Sequence, residues 1–522
     1  MKKNITSIIM AAALAAIPLS MDANNYFFSV SGAGEKDGTS WENAAPADYL
    51  GNAISSLTSG DAVYIMAGNY APDRNQGFWT IPAGVTIRGG YPATMKGTDT
   101  AITYPSAAQT VWSADLDGDG AGDNGTQPFV VVDNTSGTAA TFAKTIMSGI
   151  TIRDAVNTGS ADYKGSAMII KHATMEFEGM QFLNNQINGK TSAGKLTRGG
   201  VVVVWASDIY FKNCVWRDNK SACTGVALQG RQSNGGSNDA TLGTCNLIFD
   251  RCEFTNNISF APDDAANCKY GGALTLCDRG GTMTMVNCVV TGSHISWAGA
   301  MCRMGSYTTM YAANNTWFDC TCSYDKRHSG DILSMGTYST LYAANNIAVT
   351  PTDGRTEMMA TMFIQDQSCH FYSGGYNVWG SLMNASSDSQ ATTDNISKDN
   401  VQTTVFGTNE YKDNGCGQNS IEPLETFRGV PTADLVSWAA AKGFPKQVDL
   451  SVDQRGYNRP AETVPGSFDS KAQTVTAIET IAVNNVKKAN DNRIYNLNGQ
   501  QVNGSHLTKG IYIINGKKVI VK

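Results

Sequence analysis

The stretch Asp115-Leu-Asp-Gly-Asp-Gly-Ala-Gly-Asp123 sets carboxylates at relative positions 1, 3, 5 and 9, with Gly at position 6. Asp115, Asp117, Asp119 and Asp123 at that spacing can wrap a hard cation such as Ca²⁺ in oxygen ligands, and the Gly permits the sharp turn such a loop makes. Thr126 stands where position 12 of a calcium loop would carry Glu. A solvated Asp-Gly turn is therefore the competing reading. A second set of candidates is aromatic: Tyr210, Tyr311 and Tyr342 recur in the column Glu176, Tyr210, Ile248, Thr284, Tyr311, Tyr342. Tyrosines facing outward on a flat sheet can stack on sugar rings, although Tyr is favoured in strands wherever it faces. With Arg303 they form the candidate glycan contacts.

Catalytic chemistry has weaker support. The candidate exposed charges are Lys171, Asp278, Arg279, Arg303, Asp331 and the run Asp325-Lys-Arg-His328. Aligned by repeat, they do not gather into acid clusters on neighbouring units. The chain has only 5 His, none in a metal-binding pair. No catalytic residue is assigned.

What must position these groups is a repeat. Phe211-Lys-Asn-Cys-Val-Trp-Arg-Asp-Asn219 returns as Phe249-Asp-Arg-Cys-Glu-Phe-Thr-Asn-Asn257 and Phe177-Glu-Gly-Met-Gln-Phe-Leu-Asn-Asn185. The frame is apolar residue, bend residue (Asn or Gly), then a marker that is Ile150, Met180, Cys214, Cys252, Cys288, Asn315 and Asn346 in turn. Successive differences are 30, 34, 38, 36, 27 and 31. A drifting period near 30 built of short alternating strands predicts a solenoid. Alternation turns Phe211, Cys214, Trp216 and Asn219 inward, as it does Phe249, Cys252, Phe254 and Asn257. Asn185, Asn219 and Asn257 should then form an internal ladder whose amides satisfy corner carbonyls. Ser293 and Cys320 take over that position where the ladder ends.

Composition agrees. With 53 Gly, 14 Pro, 16% charged residues and no long amphipathic helical run, the chain reads as turn-rich and all-β. A net charge of −6 without a basic cluster argues against nucleic acid as a partner. Lys2-Lys3, an apolar run from Ile5 to Leu19 and Ser20-Met-Asp-Ala23 read as a secretory signal. No other segment is long and apolar enough to span a membrane. An exported chain with 12 Cys can form disulfides. However, Cys214, Cys252 and Cys288 share one repeat position, and parallel neighbours about 4.8 Å apart are slightly wide for a disulfide. A stacked column of buried thiols is the expectation.

Gly-Thr-Ser-Trp41, Gly-Asp61, Ala-Gly-Asn-Tyr70, Gly-Val-Thr-Ile-Arg-Gly-Gly-Tyr91 and Trp112-Ser-Ala-Asp115 together resemble the entry into secreted parallel β-helix proteins. Among these are surface proteins similar to the chlamydial polymorphic outer-membrane proteins. Asp453-Gln-Arg-Gly-Tyr-Asn-Arg459 resembles the segment that closes such helices, so Asp453, Arg455 and Arg459 are expected to be a structural ion-pair and turn cluster. Arg493-Ile-Tyr-Asn-Leu-Asn-Gly and Gly510-Ile-Tyr-Ile-Ile-Asn-Gly resemble the sorting domains of Bacteroidetes proteins exported by the type IX route. An immunoglobulin-like end domain without an export role is the alternative.

The resemblance implies an all-β, right-handed, single-stranded parallel β-helix solenoid with an N-terminal cap and a small C-terminal β-sandwich-like module. The expected divisions are signal peptide 1–23, cap 24–80, β-helix 81–470, linker 471–484 and sorting-like module 485–522. Short helices are expected at 50–57 and 433–442, and binding loops at 186–197, 232–244 and 258–269. Function follows by exclusion: a monomeric surface protein, adhesin-like or glycan-contacting, non-catalytic, and meeting surface polysaccharide or host glycan. Ca²⁺ is the one candidate cofactor, and export machinery would engage the C-terminal module. Because parallel β-helices include polysaccharide lyases, a lyase is the alternative function, and a plain structural stalk is the third.

Overall fold

The structure is a computed structural model. It describes residues 23–474 except 73–76, 136–142, 163, 191, 193, 195, 222–224, 232–243, 260–271, 277–279, 296–298, 323–329, 352–359, 365–367 and 384–390. Beyond these it describes 494–496, 501–502, 507, 509–514 and 517–521. The segment read as a signal lies outside the described residues.

Each coil runs through three short strands that stack in parallel on the coils before and after. One coil is Val202–Trp205 (sheet C), Asp208–Lys212 (sheet A) and Val215–Arg217 (sheet B). Sheets A, B and C hold 12, 11 and 10 strands among the described residues. Register is regular through the middle coils, where Phe177, Phe211, Phe249 and Met285 pair in succession along sheet A, and shifts near the ends, at Tyr64/Met66, Gly330/Leu333 and Ala343/Ala344. The chain is a right-handed parallel β-helix.

The corners follow from backbone sterics. Between sheets A and B every coil passes through left-handed φ: Gly149, Gly179, Asn213, Arg251, Asn287, Asn314 and Asn345 lie between 53° and 64°. Asn and Gly tolerate this region best, which is why the bend residue of the repeat is usually one of them. The corner after sheet B uses Asp154, Asn184, Asp218 and Asn256 in the same way.

The interior matches the inward phase. Phe211, Cys214, Trp216 and Asn219 are fully buried, and rings stack from coil to coil. Phe177, Phe211 and Phe249 lie 4.8 and 5.2 Å apart; Phe182, Trp216 and Phe254 lie 5.0 and 4.6 Å apart. Cys214, Cys252 and Cys288 are buried thiols in one column. The Cys252 amide donates to the Cys288 sulfur at 3.3 Å. The expected ladder is present: Asn185 Nδ2 donates to Asn219 Oδ1 at 3.2 Å, and Asn219 Nδ2 to Asn257 Oδ1 at 2.9 Å. Ser293 Oγ then caps the Asn257 carbonyl at 3.0 Å. A second ladder takes up the marker column where the cysteines stop, with Asn315 donating to Asn346 at 2.9 Å and Asn346 to Asn377 at 3.0 Å.

Within the stretch expected as the cap, Asn25–Ser29 already pairs in parallel with Ala62–Met66 in sheet A. The helix Leu50–Ser56 buries Leu50 and Ile54 over the open end. The last coil strand is Asn395–Ile396. From residue 401 the chain turns back and runs along the outside of sheets A and B as a strap. Gln402–Val405 and the residues after it pack Val405, Phe406 and Ile421 on sheet B, against Val289, Ile347 and Val349. The helix Thr432–Lys442 lays Leu435 and Ala439, with Phe444 and Leu450, over Val286, Ala313 and Ala344 of sheet A.

The bend asparagines fasten the strap. Asn287 donates to the Asp449 carbonyl at 3.0 Å, Asn314 to that of Leu450 at 3.3 Å and Asn345 to that of Val464 at 3.3 Å. Buried Glu253 takes a two-pronged ion pair from Arg217 at 2.7 and 2.9 Å and accepts the strap amide of Asn419 at 2.9 Å. Asp453, Arg455 and Arg459 hold the strap's own turn. Arg455 pairs with Asp453 at 2.6 Å, and buried Arg459 donates to the carbonyls of Val452, Gly466 and Ser467.

Thr474–Lys522 is a separate compact unit. Its described strands form one four-stranded antiparallel sheet, ordered Gln501–Val502, Ile494–Asn496, Gly510–Ile514, Lys517–Val521. The Asn-Gly pairs expected at its turns lie outside the described residues. No helix among the described residues is long and apolar enough to cross a membrane.

Candidate functional site

Three of the four loop aspartates converge. Carboxylate oxygens of Asp115, Asp117 and Asp123 lie within 4.8 Å of one another; Asp119 stands apart and accepts the Ala121 amide at 2.8 Å. The loop closes on its own N–H groups: Asp115 accepts from Gly118 and Gly120 at 2.8 and 3.0 Å, and Asp123 accepts from Leu116 at 2.7 Å. The turn reading is thus satisfied by the backbone. The three oxygens are also what a cation would use, with Asp119 excluded from the set.

The tyrosine column faces outward as its phase requires, but it is not an open sugar platform. Tyr210 is half-buried, and its hydroxyl donates to Asp250 at 3.0 Å and to the strap carbonyl of Gln447 at 3.4 Å. Tyr311 and Tyr342 stack on each other at 5.3 Å, and Tyr311 meets Phe444 edge-on at 5.1 Å. The strap covers this column because it needs an apolar floor, which the tyrosine rings provide. Tyr372 continues the same column: it pairs with Tyr342, stacks on it at 5.2 Å, has strap Lys442 over its ring and is still 42% exposed. The open aromatic surface beside the column is Tyr307 and Tyr338, 41% and 56% exposed. Tyr307 and Tyr338 stack at 4.7 Å at the corner leading into sheet A, and exposed His370 stacks on Tyr372 at 6.1 Å. The left-handed φ of Tyr307 and Tyr338, 61° and 57°, is the local signal that these side chains sit on a corner. The four-before-marker frame used for the sequence column skips that position.

Arg303 lies on the outward row of sheet C formed by Gln229, Thr275, Arg303 and Ser334. Gln229 in that row is fully buried, and neither its amide nitrogen nor its oxygen has a partner. Lys171 pairs with Asp133 at 2.7 Å. Asp278, Arg279, the Asp331 side chain and the run 325–328 lie outside the described residues, as do most of the loops at 232–244 and 258–269.

A feature no sequence spacing showed is a groove of about 770 Å³ over the A–B corner. It occupies the part of that corner the strap leaves bare, from Arg88 past Glu178 and Lys212 to Arg251. One wall is the loop 102–109. Its Tyr104 hydroxyl donates to Gly89 at 2.8 Å, and its ring lies so close that a Cβ on Gly149 would meet it at 2.2 Å. The φ at that corner only favours glycine, since other coils carry Asn or Arg there, but this ring leaves no room for a Cβ and so requires it at position 149. The other wall is the strap hairpin Lys412–Asp413 with Asn419–Ser420, whose tip is gathered by Asp413 accepting from Gly415, Cys416 and Gly417. The two walls nearly touch, since a Cβ on Gly417 would sit 3.4 Å from Pro105.

The groove's charges are mostly paired. Lys212 meets Glu178 at 2.7 Å, Arg251 meets Asp250 at 3.2 Å and Arg455 meets Asp453. Burial pushes the Asp250 carboxyl up despite Arg251 and the Tyr210 hydroxyl beside it. Burial likewise raises the Cys416 thiol to about 11, so it is protonated and unreactive at neutral pH. Two groups are left over: the buried Nε of Arg88 and the buried Oε1 of Gln454 have no partner.

No protein-family model matches the chain, and no curated protein matches its sequence. Among solved structures it is similar to the pectate lyase Pel9A, at 11% identity over 86% of this chain and 96% of that one, TM-score 0.36. It is also similar to XylC in complex with xylose, at 9% identity over 86% and 99%, TM-score 0.34. A rhamnogalacturonan lyase matches at 11% identity over 80% and 99%, TM-score 0.20. Scores of this size carry nothing about activity.

Proposed function

We propose that the protein is an exported surface β-helix that contacts glycans without cleaving them. The observation that carries this reading is the exposed, stacked corner pair Tyr307 and Tyr338. Two large rings stand open at the corner into sheet A, and they are held stacked on each other rather than free to collapse. Rigid tyrosines offer sugar C–H faces a contact with little rotamer entropy to lose. The glycan surface thus moves from Tyr210, Tyr311 and Tyr342 to the corner pair Tyr307 and Tyr338. Lys2-Lys3 with the apolar run after it supports export, and a terminal unit that forms its own small sheet supports a detachable sorting module.

The test is a glycan array probed with the parent and with Tyr307→Ala/Tyr338→Ala. The double variant should lose at least about tenfold in binding to any neutral glycan the parent holds. Undiminished binding would remove the reading. The lyase alternative would need carboxylates gathered with Arg303, and its described row on sheet C, Gln229, Thr275 and Ser334, holds none. Incubation with uronic-acid polymers, followed by absorbance of unsaturated sugar ends, decides between them; the expected trace is flat.

A further inference from the structure

We infer that the groove over the A–B corner is a second binding site, separate from the tyrosine patch, and that it takes a hydroxylated anion of the acidic-sugar class. The argument starts from what the groove leaves unpaired. Arg88 makes no ion pair among the described residues, and its Nε is buried without an acceptor. Gln454 is 1% exposed and lines the same groove; its Nε2 donates to Gln418 Oε1 at 2.9 Å, while its Oε1 accepts nothing. A buried polar group without a partner is costly. Two of opposite sense in one cavity point to a ligand that accepts from a cation and donates to an amide oxygen. A carboxylate or sulfate meets the first need, and a sugar hydroxyl meets the second.

Charge agrees with that chemistry. Of the ionisable lining side chains other than Cys416 and Tyr104, Arg88, Lys212, Arg251 and Arg455 are cationic and Glu178 alone is acidic. The carboxylate partners Asp250 and Asp453 are buried, and Arg455 is further fixed between the Tyr457 and Phe468 rings, so the cations left to meet a ligand are chiefly Arg88 and Lys212. Size agrees too. Arg88, Ser148, Glu178, Lys212 and Asp250 follow one another in register along sheet A. At about 4.8 Å per strand they lay out roughly 19 Å of floor, longer than a single small ion needs. The site is also built: its walls come from opposite ends of the coil stack and meet at Gly417 and Pro105.

The inference deepens the glycan reading but stands on different residues, so the two can fail separately. Calorimetric titration of the full chain would use a glucuronic-acid oligomer, a sulfated neutral-backbone oligomer, the uncharged parent oligomer and inorganic sulfate. The acidic oligomers should bind and the uncharged one should not. Whichever of carboxylate or sulfate binds more tightly identifies the anion. Arg88→Met and Gln454→Leu should each weaken binding about tenfold to a hundredfold, whereas Tyr307→Ala/Tyr338→Ala should leave it unchanged. Lys212→Met, on a partly exposed side chain, is the second reading should Arg88→Met lower the melting temperature. Equal binding of charged and uncharged oligomers, or unaltered binding by Arg88→Met and Lys212→Met, would overturn the inference. Inorganic sulfate competing as well as the oligomers would overturn its sugar part. Loss of all binding in the tyrosine variant alone would leave the patch as the only glycan site.

Discussion

At the scale of single residues, Asp61 shows how one carboxylate holds the start of the coil stack. It accepts the Asn24 amide at 2.9 Å and the Thr58 amide and hydroxyl at 2.8 Å each, tying the first strand to the residues after the capping helix. Burial pushes this carboxyl up, but the hydrogen bonds from Asn24 and Thr58 outweigh it and hold the group below its ordinary value. A carboxyl depressed on folding stabilises the fold above its unfolded value of about 4, and that contribution drains away as pH falls through the lower folded value. Asp61→Asn should therefore cost stability at neutral pH, about 1–3 kcal/mol from weakened buried hydrogen bonds. Melting curves of parent and variant should converge in acid; a gap independent of pH would contradict the assignment. The ladder asparagines were legible beforehand for a plain reason. Asn185, Asn219 and Asn257 recur at the repeat period in the inward phase, and a buried amide at a corner has few other tasks. Arg88, Cys416 and Gln454 were not legible as a site, because they share no period and come together only when distant segments fold over one corner.

At the scale of elements, the coils could be read, and of the strap only its helix at Thr432–Lys442 and its ion-pair turn at Asp453, Arg455 and Arg459; its path back along the sheets could not. Alternation with a period near 30 residues announces stacked strands. Residues 401–474 have no such period, and their hold depends on side chains already explained as bends. Asn287, Asn314 and Asn345 satisfy a left-handed corner whether or not anything lies above them, so their second task left no mark in the sequence. The tyrosine column misled for a related reason: outward phase was correct, but outward is not exposed once another element lies on top. Leu435 is the anchor of the strap helix, buried against Ala313 and Ala344. Leu435→Ala should lower the strap's stability by about 2–4 kcal/mol. Limited proteolysis should then cut first within 401–474 while the coils resist. Cleavage spread evenly along the chain would mean that the strap and coils are one cooperative unit.

At the scale of the whole molecule, a solenoid is a sum of neighbour contacts, each coil touching only the next. Thr474–Lys522 is a compact unit of its own. Deleting it should leave the melting transition of Met1–Gln473 within about 2 °C of the parent, since the coil strands pair only with one another. If the module directs export as proposed, the same deletion should remove the protein from surface-protease digestion of whole cells. A truncated chain that still reaches the surface would assign the module another task.

The strap has a consequence beyond stability. It starts beside the last coil and returns to touch Tyr210, Glu253 and, at Gly417, the neighbourhood of Pro105. After the hairpin it grips the bend asparagines Asn287, Asn314 and Asn345 in turn, through Asp449, Leu450 and Val464. A solenoid alone could gain or lose a coil between Glu253 and the last turn and scarcely register the change. Here the strap has a fixed reach, so it works as a ruler. One coil more would pull its hairpin away from the 102–109 loop, and one coil fewer would push it past. The number of coils is thus measured by the chain's own final segment, and the groove is open to its width only at the right count.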